Sequence, residues 1–458
     1  MFASLIDEQR RYFATYATRD IKFRLQQLKK LEEMITSNVD AISAALHADL
    51  GKPALEAFTS EIAVTLEEVR LHQKNLSRWA RPRKVTTPVH LLPAKCEIIA
   101  EPLGVALIIS PWNYPFHLAI APLVGALAAG NCVALKPSEL APHTAALLSQ
   151  MLAKTFAPEY VRVIEGGVEE TTALLKIKFD HIFFTGSTAV GRVVMRAAAE
   201  HLTPVTLELG GKSPTIVTEH ADIDLAARRI AWGKFMNAGQ TCVAPDYVYV
   251  HAARAIEFTE KLKVYLAQFY SGDPRTSDSY GRIISERHFD RLVGLLEGAK
   301  VIHGGKHERA TRYLEPTLVG EVNSEAPLMR EEIFGPILPI LPYARLDEAF
   351  ASIRTREKPL AAYFFSRDER EVEKFLAELS FGGGCVNDTI LHLANPHLPF
   401  GGVGASGLGA YHGEESFLTF SHRKSVVRKS KWLDFDFRYP PYREKDLALI
   451  KRLFGAGS

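Results

Sequence analysis

Apolar residues recur three and four positions apart through LIDEQRRYFATYA and RDIKFRLQQLKKLEEMITSN, so the pattern predicts helices over most of residues 4–75. Thr18, ahead of Arg19-Asp20, is the expected N-cap of the second helix. Arg81-Pro82-Arg83 breaks the pattern, and a Pro-dotted stretch to Ala94 reads as an excursion, an edge hairpin. From 100 to 210 the rhythm changes. VALIIS (105–110), CVALK (132–136), VRVIEG (161–166), HIFFTG (181–186) and VTLELGG (205–211) are short apolar runs. Between them lie helical stretches at 117–129, from a Ser138 cap to Lys154, at 168–177 and at 188–201. Runs without alternation suit strands covered on both faces. Their regular exchange with helices predicts an α/β protein with a doubly wound parallel sheet. A second α/β half begins near Pro214, with PTIVT, DYVYV, PILPILPY, AAYFF and GGCVND as strands and helices over 224–237, 254–268, 285–297, 346–354 and 369–378. After 395 the chain turns Gly-rich, then reads as a basic strand, SHRKSVVRKSKW.

Leu118 to Leu135 carries no charge over 18 residues, near the length of a membrane span. Pro122, Gly125 and Gly130-Asn131 interrupt it, so it reads as a buried helix, a Gly-Asn stop and a buried strand. The 458 residues favour two to four domains. With 55 Lys plus Arg against 53 Asp plus Glu, the net charge of +2 argues against a dedicated nucleic-acid binder. The run Arg423, Lys424, Arg428, Lys429, Lys431 then reads as a solvated edge strand. The four cysteines are far apart with no CxxC, which disfavours a cysteine zinc site and fits a reducing compartment. The start, MFASLIDEQRR, lacks the apolar core of a secretory signal.

Five segments carry candidate chemistry, each with a plainer alternative. Gly186-Ser187-Thr188-Ala189-Val190-Gly191 joins a strand to a helix; it suits a phosphate at the helix start, or is an ordinary βα turn. Lys136-Pro137-Ser138-Glu139 follows a strand; Lys136 and Glu139 suit ribose hydroxyls, or the segment is a capping box. Cys242, in FMNAGQTCVAPDY, falls on a loop after an expected helix stop at Gly239, where a reactive thiol or a small buried filler is equally at home. Glu208, in LELGGKSP, ends a buried strand as a base of raised pKa or a salt-bridged structural group. Asn113, in SPWNYPF, is an oxyanion donor or a turn residue.

Taken together, these motifs resemble the aldehyde dehydrogenase superfamily over about residues 8–440. LELGGKSP and FMNAGQTCVAPD, with Glu208 and Cys242 34 positions apart, carry most of the specificity. SPWNYPF, LKPSE, FTGSTAVG, EEIFGPILP and PFGGVGASGLGAYHG follow in the family's order. LKPSE and the ending RYPPY look most like the class 3 branch, which takes fatty and aromatic aldehydes. The resemblance implies Cys242 as nucleophile, Glu208 as the base for the deacylating water, and Asn113 with the Cys242 N–H as oxyanion site. It implies Lys136 and Glu139 at the adenosine ribose, Gly186 to Gly191 at the pyrophosphate, and Glu332 and Phe334 near the nicotinamide. NAD is the expected cofactor, with NADP also used, and no metal is needed.

The architecture implied is a Rossmann-like dinucleotide domain (1–77 and 100–209), an α/β catalytic domain (210–394) and a small β oligomerisation extension (78–99 and 395–435), then a tail (436–458). A cytoplasmic homodimer acting on a small-molecule aldehyde follows, with neither nucleic acid nor a transmembrane segment involved. Two rivals stand: a CoA-acylating dehydrogenase, which Glu208 disfavours, and a nucleotide-binding protein without the chemistry. Cys96, Cys132 and Cys385 read as small core residues, and His412 as a structural histidine or a tunnel wall. In the tail, Leu447, Ile450, Leu453 and Phe454 share a helical face, which suits packing on the body, a weak membrane contact or a lid.

Overall fold

The computed structural model describes residues 2–323 and 325–455. The chain divides into two compact units, residues 1–79 with 102–421 and residues 80–101 with 422–458.

The larger unit holds two sheets. The first has six strands, in the order Gly407–Leu408, Val205–Glu208, His181–Thr185, Val105–Ile109, Cys132–Lys136, Val161–Val163. All neighbours are parallel except Gly407–Leu408, which runs antiparallel to Val205–Glu208. The central strands Val105–Ile109 and Cys132–Lys136 are buried at every position, as their unbroken apolar runs require. Chain order reverses between Val105–Ile109 and His181–Thr185. In doubly wound sheets the ligand crevice opens beyond the carboxyl ends at such a reversal. Ser110–Asn113 and Gly186–Thr188 leave the sheet there. Helix His117–Ala129, almost wholly buried, ends on left-handed Gly130, so the uncharged stretch is a core helix and strand. No described helix is long and apolar enough to cross a membrane.

The second sheet has seven strands, in the order Lys300–His303, Thr317–Gly320, Ile337–Tyr343, Tyr247–His251, Pro214–Val217, Ala361–Phe365, Gly383–Val386. Its outer strands Lys300–His303 and Thr317–Gly320 were not anticipated: the first is half exposed, so its sequence carries no long apolar run. In the smaller unit, Arg83–Val85 pairs antiparallel with Ala94–Pro102, and Ser421–Lys429 completes a three-stranded sheet. Ser421–Lys429 is an edge, with Lys424 bonded to Glu101 at 2.6 Å and Arg428 paired with Glu97.

Several expectations shift. Asp20, not Thr18, caps the second helix, its carboxylate accepting from Phe23 N at 3.0 Å, while Thr18 is buried. Ser138 caps no helix, because that helix begins at Pro142, a residue preorganised for a first turn. Helix Ile223–Phe235 ends four residues before Gly239, in a turn whose Asn237 and Ala238 both have left-handed backbone. Residues 395–421, expected in the extension, belong to the larger unit: Gly407 and Leu408 extend the first sheet beside Glu208 and Leu207. The tail forms helix Glu444–Leu453 with Leu447 and Leu449 exposed; the Leu453 side chain and residues 456–458 lie outside the described residues.

Candidate active site

A cavity of about 610 Å³ lies at the carboxyl end of the first sheet. Asn113, Gly186, Ser187, Thr188, Ala189, Glu208, Cys242, Glu332 and Phe334 all line it. Lys136, Glu139, Val190 and Gly191 do not.

Asn113 follows strand Val105–Ile109 and is buried. Its Nδ2 donates one hydrogen bond to Gln240 O at 3.0 Å, which ties it to the loop carrying Cys242. An amide nitrogen has two donors, so one remains for a ligand. The Cys242 loop is pinned on all sides. Gln240 donates to Asn237 O and Arg282 O and accepts from Ile284 N. Thr241 Oγ1 meets Tyr114 OH at 2.7 Å, and Tyr363 OH donates to Val243 O at 2.6 Å. Burial pushes the Cys242 thiol up to about 12, with Glu332 and Glu208 adding to the shift. The thiol is therefore neutral at pH 7, and a nucleophile here must lose its proton as it reacts.

Glu208 ends strand Val205–Glu208, with its carboxylate fully buried and neither oxygen hydrogen-bonded. Burial raises its pKa well above the usual carboxylate range. The salt-bridge alternative fails, since no cation pairs with it among the described residues. A carboxyl so placed, beside a cavity, is a strong base once ionised.

Glu332 and Phe334 sit on a loop that sequence reasoning noticed, held by residues it did not. Lys212 pairs with Asp246 and donates to Leu328 O at 2.7 Å and Glu331 O at 2.9 Å; Asp246 Oδ1 accepts from Ile333 N at 2.9 Å. Burial lifts Glu332 to about 8. A Cβ on Gly210 would collide with its carboxylate, which explains one glycine of LELGG. Phe334 takes left-handed backbone and meets the Trp112 ring edge-on at 5.3 Å.

Ser187 caps helix Thr188–Ala199, accepting from Val190 N at 3.4 Å. Gly191 owes its lack of a side chain to packing, since a Cβ would fall 2.6 Å from Leu209 Cδ2. Val190 points outward. Lys136 Nζ donates to Pro137 O at 2.7 Å and to Glu139 at 3.3 Å, leaving Glu139 partly exposed. The unpartnered Thr185 Oγ1, on a cavity-lining residue just ahead of the helix start, fits a nucleotide whose polar groups complete it.

The rest of the wall is largely apolar, including Leu118, Trp232, Met236, Ile390, Leu393 and Phe400. His412 both lines the cavity and stacks on Phe400 at 5.2 Å, and burial lowers its pKa to about 3, so it is neutral. Of the other cysteines only Cys132 is buried; Cys96 and Cys385 are half exposed, and Cys385 Sγ lies 3.7 Å from His392 Nδ1. No cluster of three metal-ligating side chains exists among the described residues.

The model of the aldehyde dehydrogenase family matches residues 2–426. The 4,4'-diaponeurosporen-aldehyde dehydrogenase of Staphylococcus aureus is 50% identical over 449 residues, covering 98% of both chains. The dimeric NADP-preferring aldehyde dehydrogenase of Rattus norvegicus is 50% identical over 438 residues, 95% of this chain and 97% of its own. A substrate-bound structure of Staphylococcus aureus AldH superposes with a TM-score of 0.97 at 48% identity, covering 99% of both chains.

Proposed function

The chain belongs to the aldehyde dehydrogenase family, and we propose that it oxidises apolar aldehydes, medium- to long-chain aliphatic or aromatic, to carboxylic acids with NAD or NADP. The observation that carries this is the gathering of Cys242, Glu208 and Asn113 around one cavity with a largely apolar wall. A pocket of that character favours substrates that leave water readily.

Cys242 Sγ attacks the aldehyde carbon and forms a thiohemiacetal. Its proton passes to water in the cavity during attack, given the raised thiol pKa. The free Asn113 N–H and the Cys242 backbone N–H receive the developing oxyanion. The bound cofactor supplies the hydride acceptor. Glu208, once ionised, takes a proton from water, which then cleaves the thioester and frees the acid. Lys136 and Glu139 are assigned to the adenosine ribose, the turn Gly186–Gly191 to the pyrophosphate, and Glu332 and Phe334 to the nicotinamide end. No metal takes part.

Residues 1–77 with 100–209 serve as the dinucleotide domain and 210–394 as the catalytic domain. The three-stranded sheet of the smaller unit serves to join subunits, in a cytoplasmic homodimer. A relative named as dimeric supports that arrangement. The test is NADH formation across a panel of aldehydes graded in length and ring content, with and without CoA. Acid formation that is independent of CoA and improves with apolar size is expected. A CoA requirement would replace hydrolysis with acyl transfer, and no turnover with any aldehyde would leave only nucleotide binding.

A further inference from the structure

We propose that the segment from Lys52 to Glu61 is a positioning clamp that holds the Asn113 loop and the Cys242 loop in reacting register; the proposal rests on the assignment of those two residues to the reaction. The Lys52 and Glu61 side chains are completely buried and form an ion pair. Lys52 Nζ also donates to Asn113 O at 3.2 Å and sits 4.1 Å from the centre of the Tyr114 ring. The other Glu61 oxygen accepts from Phe116 N at 2.9 Å and His117 N at 3.1 Å. One ion pair thus grips the loop of Asn113 on both sides.

Glu56 grips the second loop. Its Oε1 accepts from Asn237 N at 2.8 Å, and Asn237 Nδ2 in turn donates to Asn113 O at 2.8 Å and Gln240 O at 3.2 Å. Asn237 and Ala238 both hold left-handed backbone, a sparsely populated state that persists where the surroundings over-determine it. The three clamp residues lie within ten positions, on a stretch whose turn Phe58–Ile62 widens into a π-helix. That widened turn carries Glu61, and such turns recur at functional sites.

None of Lys52, Glu56 and Glu61 lines the cavity, so none is placed to touch substrate. A fully buried ion pair is a poor source of stability, since apolar isosteres often serve as well. What this pair supplies is geometry: its hydrogen-bond partners beyond each other are three backbone atoms, Asn113 O, Phe116 N and His117 N, of the loop that aims Asn113. A displacement of that amide by an ångström is enough to cost on the order of 100-fold in rate.

The test is a thermodynamic cycle on the hydride-transfer burst. The Lys52→Met/Glu61→Gln pair removes both charges together and leaves an acceptor for Phe116 N and His117 N. It is compared with Asn113→Ala and with the triple variant, alongside melting temperature and NADH binding. The pair variant is expected to slow the burst on the order of 100-fold while the aldehyde KM and NADH affinity hold. In the Asn113→Ala background the same change is expected to cost less than about 3-fold, because interacting sites are not additive. Equal losses in both backgrounds would overturn the clamp. A full-rate Asn113→Ala would instead overturn the oxyanion assignment on which it rests. Should the pair variant fail to bind NADH, Glu56→Leu decides alone: it removes only the acceptor for Asn237 N and is expected to slow the burst about 10-fold. An unchanged burst would refute the clamp.

Discussion

Replacing Glu208 by Gln removes a base and almost no volume, so its effects on turnover and on stability can be worked separately. General-base help is worth about 100- to 10,000-fold. Steady NADH formation should fall by that order while the first turnover survives, because hydride transfer precedes the water step. Rapid mixing should therefore show a burst of about one NADH per active site followed by a nearly flat phase. The stability effect has the opposite sign. Neither Glu208 oxygen has a partner, and burial raises the pKa well above the ordinary value of 4.5. Below the unfolded pKa both states hold the proton and no penalty exists. As pH rises above it, the unfolded chain ionises first, and the native state loses about 1.4 kcal/mol per pH unit until Glu208 itself ionises. Glutamine cannot ionise, so the variant should melt with the parent near pH 4 and above it at pH 7–8. The wild-type water step should rise with pH through that raised pKa, and the variant should lack this limb. A missing burst would show that Glu208 also deprotonates Cys242. A variant melting below the parent at pH 8 would refute the unpaired, buried carboxylate.

Cys242→Ala should abolish NADH formation, since Cys96, Cys132 and Cys385 lie outside the cavity lining; measurable turnover in the variant would place the nucleophile elsewhere. With Glu139 at the adenosine ribose as proposed, its carboxylate would oppose a 2′-phosphate, so NAD should be moderately preferred in kcat/KM, and Glu139→Gln should narrow the ratio. Lys136, only 3.3 Å away, tempers the effect, and a native preference for NADP would refute the charge argument. Lys212→Met strands buried Asp246 and releases the loop of Glu332, so the melting temperature should fall by an amount equivalent to about 3–5 kcal/mol, with weaker NADH binding read by fluorescence. Unaltered NADH affinity would separate that loop from the cofactor.

What was legible in the sequence follows from the range over which each signal acts. Strands buried on both faces declare themselves as unbroken apolar runs, and Val105–Ile109 and Ala361–Phe365 fell where such runs placed them. Lys300–His303 is half exposed at a sheet edge and sends no such signal. Gly407–Leu408 is a strand only because Glu208 and Leu207 lie beside it, a pairing across about two hundred residues. The same division runs through the site. Cys242, Glu208, Asn113 and Glu332 stand at strand ends or in loops within recognisable local strings, and the cavity gathers them. Lys52, Glu56 and Glu61 look on paper like surface charges of an ordinary helix, since nothing local marks a Lys nine positions before a Glu as buried. Their meaning resides in partners at 113, 116, 117 and 237. Groups that meet a ligand are displayed by local chain geometry, whereas groups that hold them still are defined by tertiary contact. It follows that the positioning residues of this fold are found by asking which buried charges terminate on the backbone of a reactive loop.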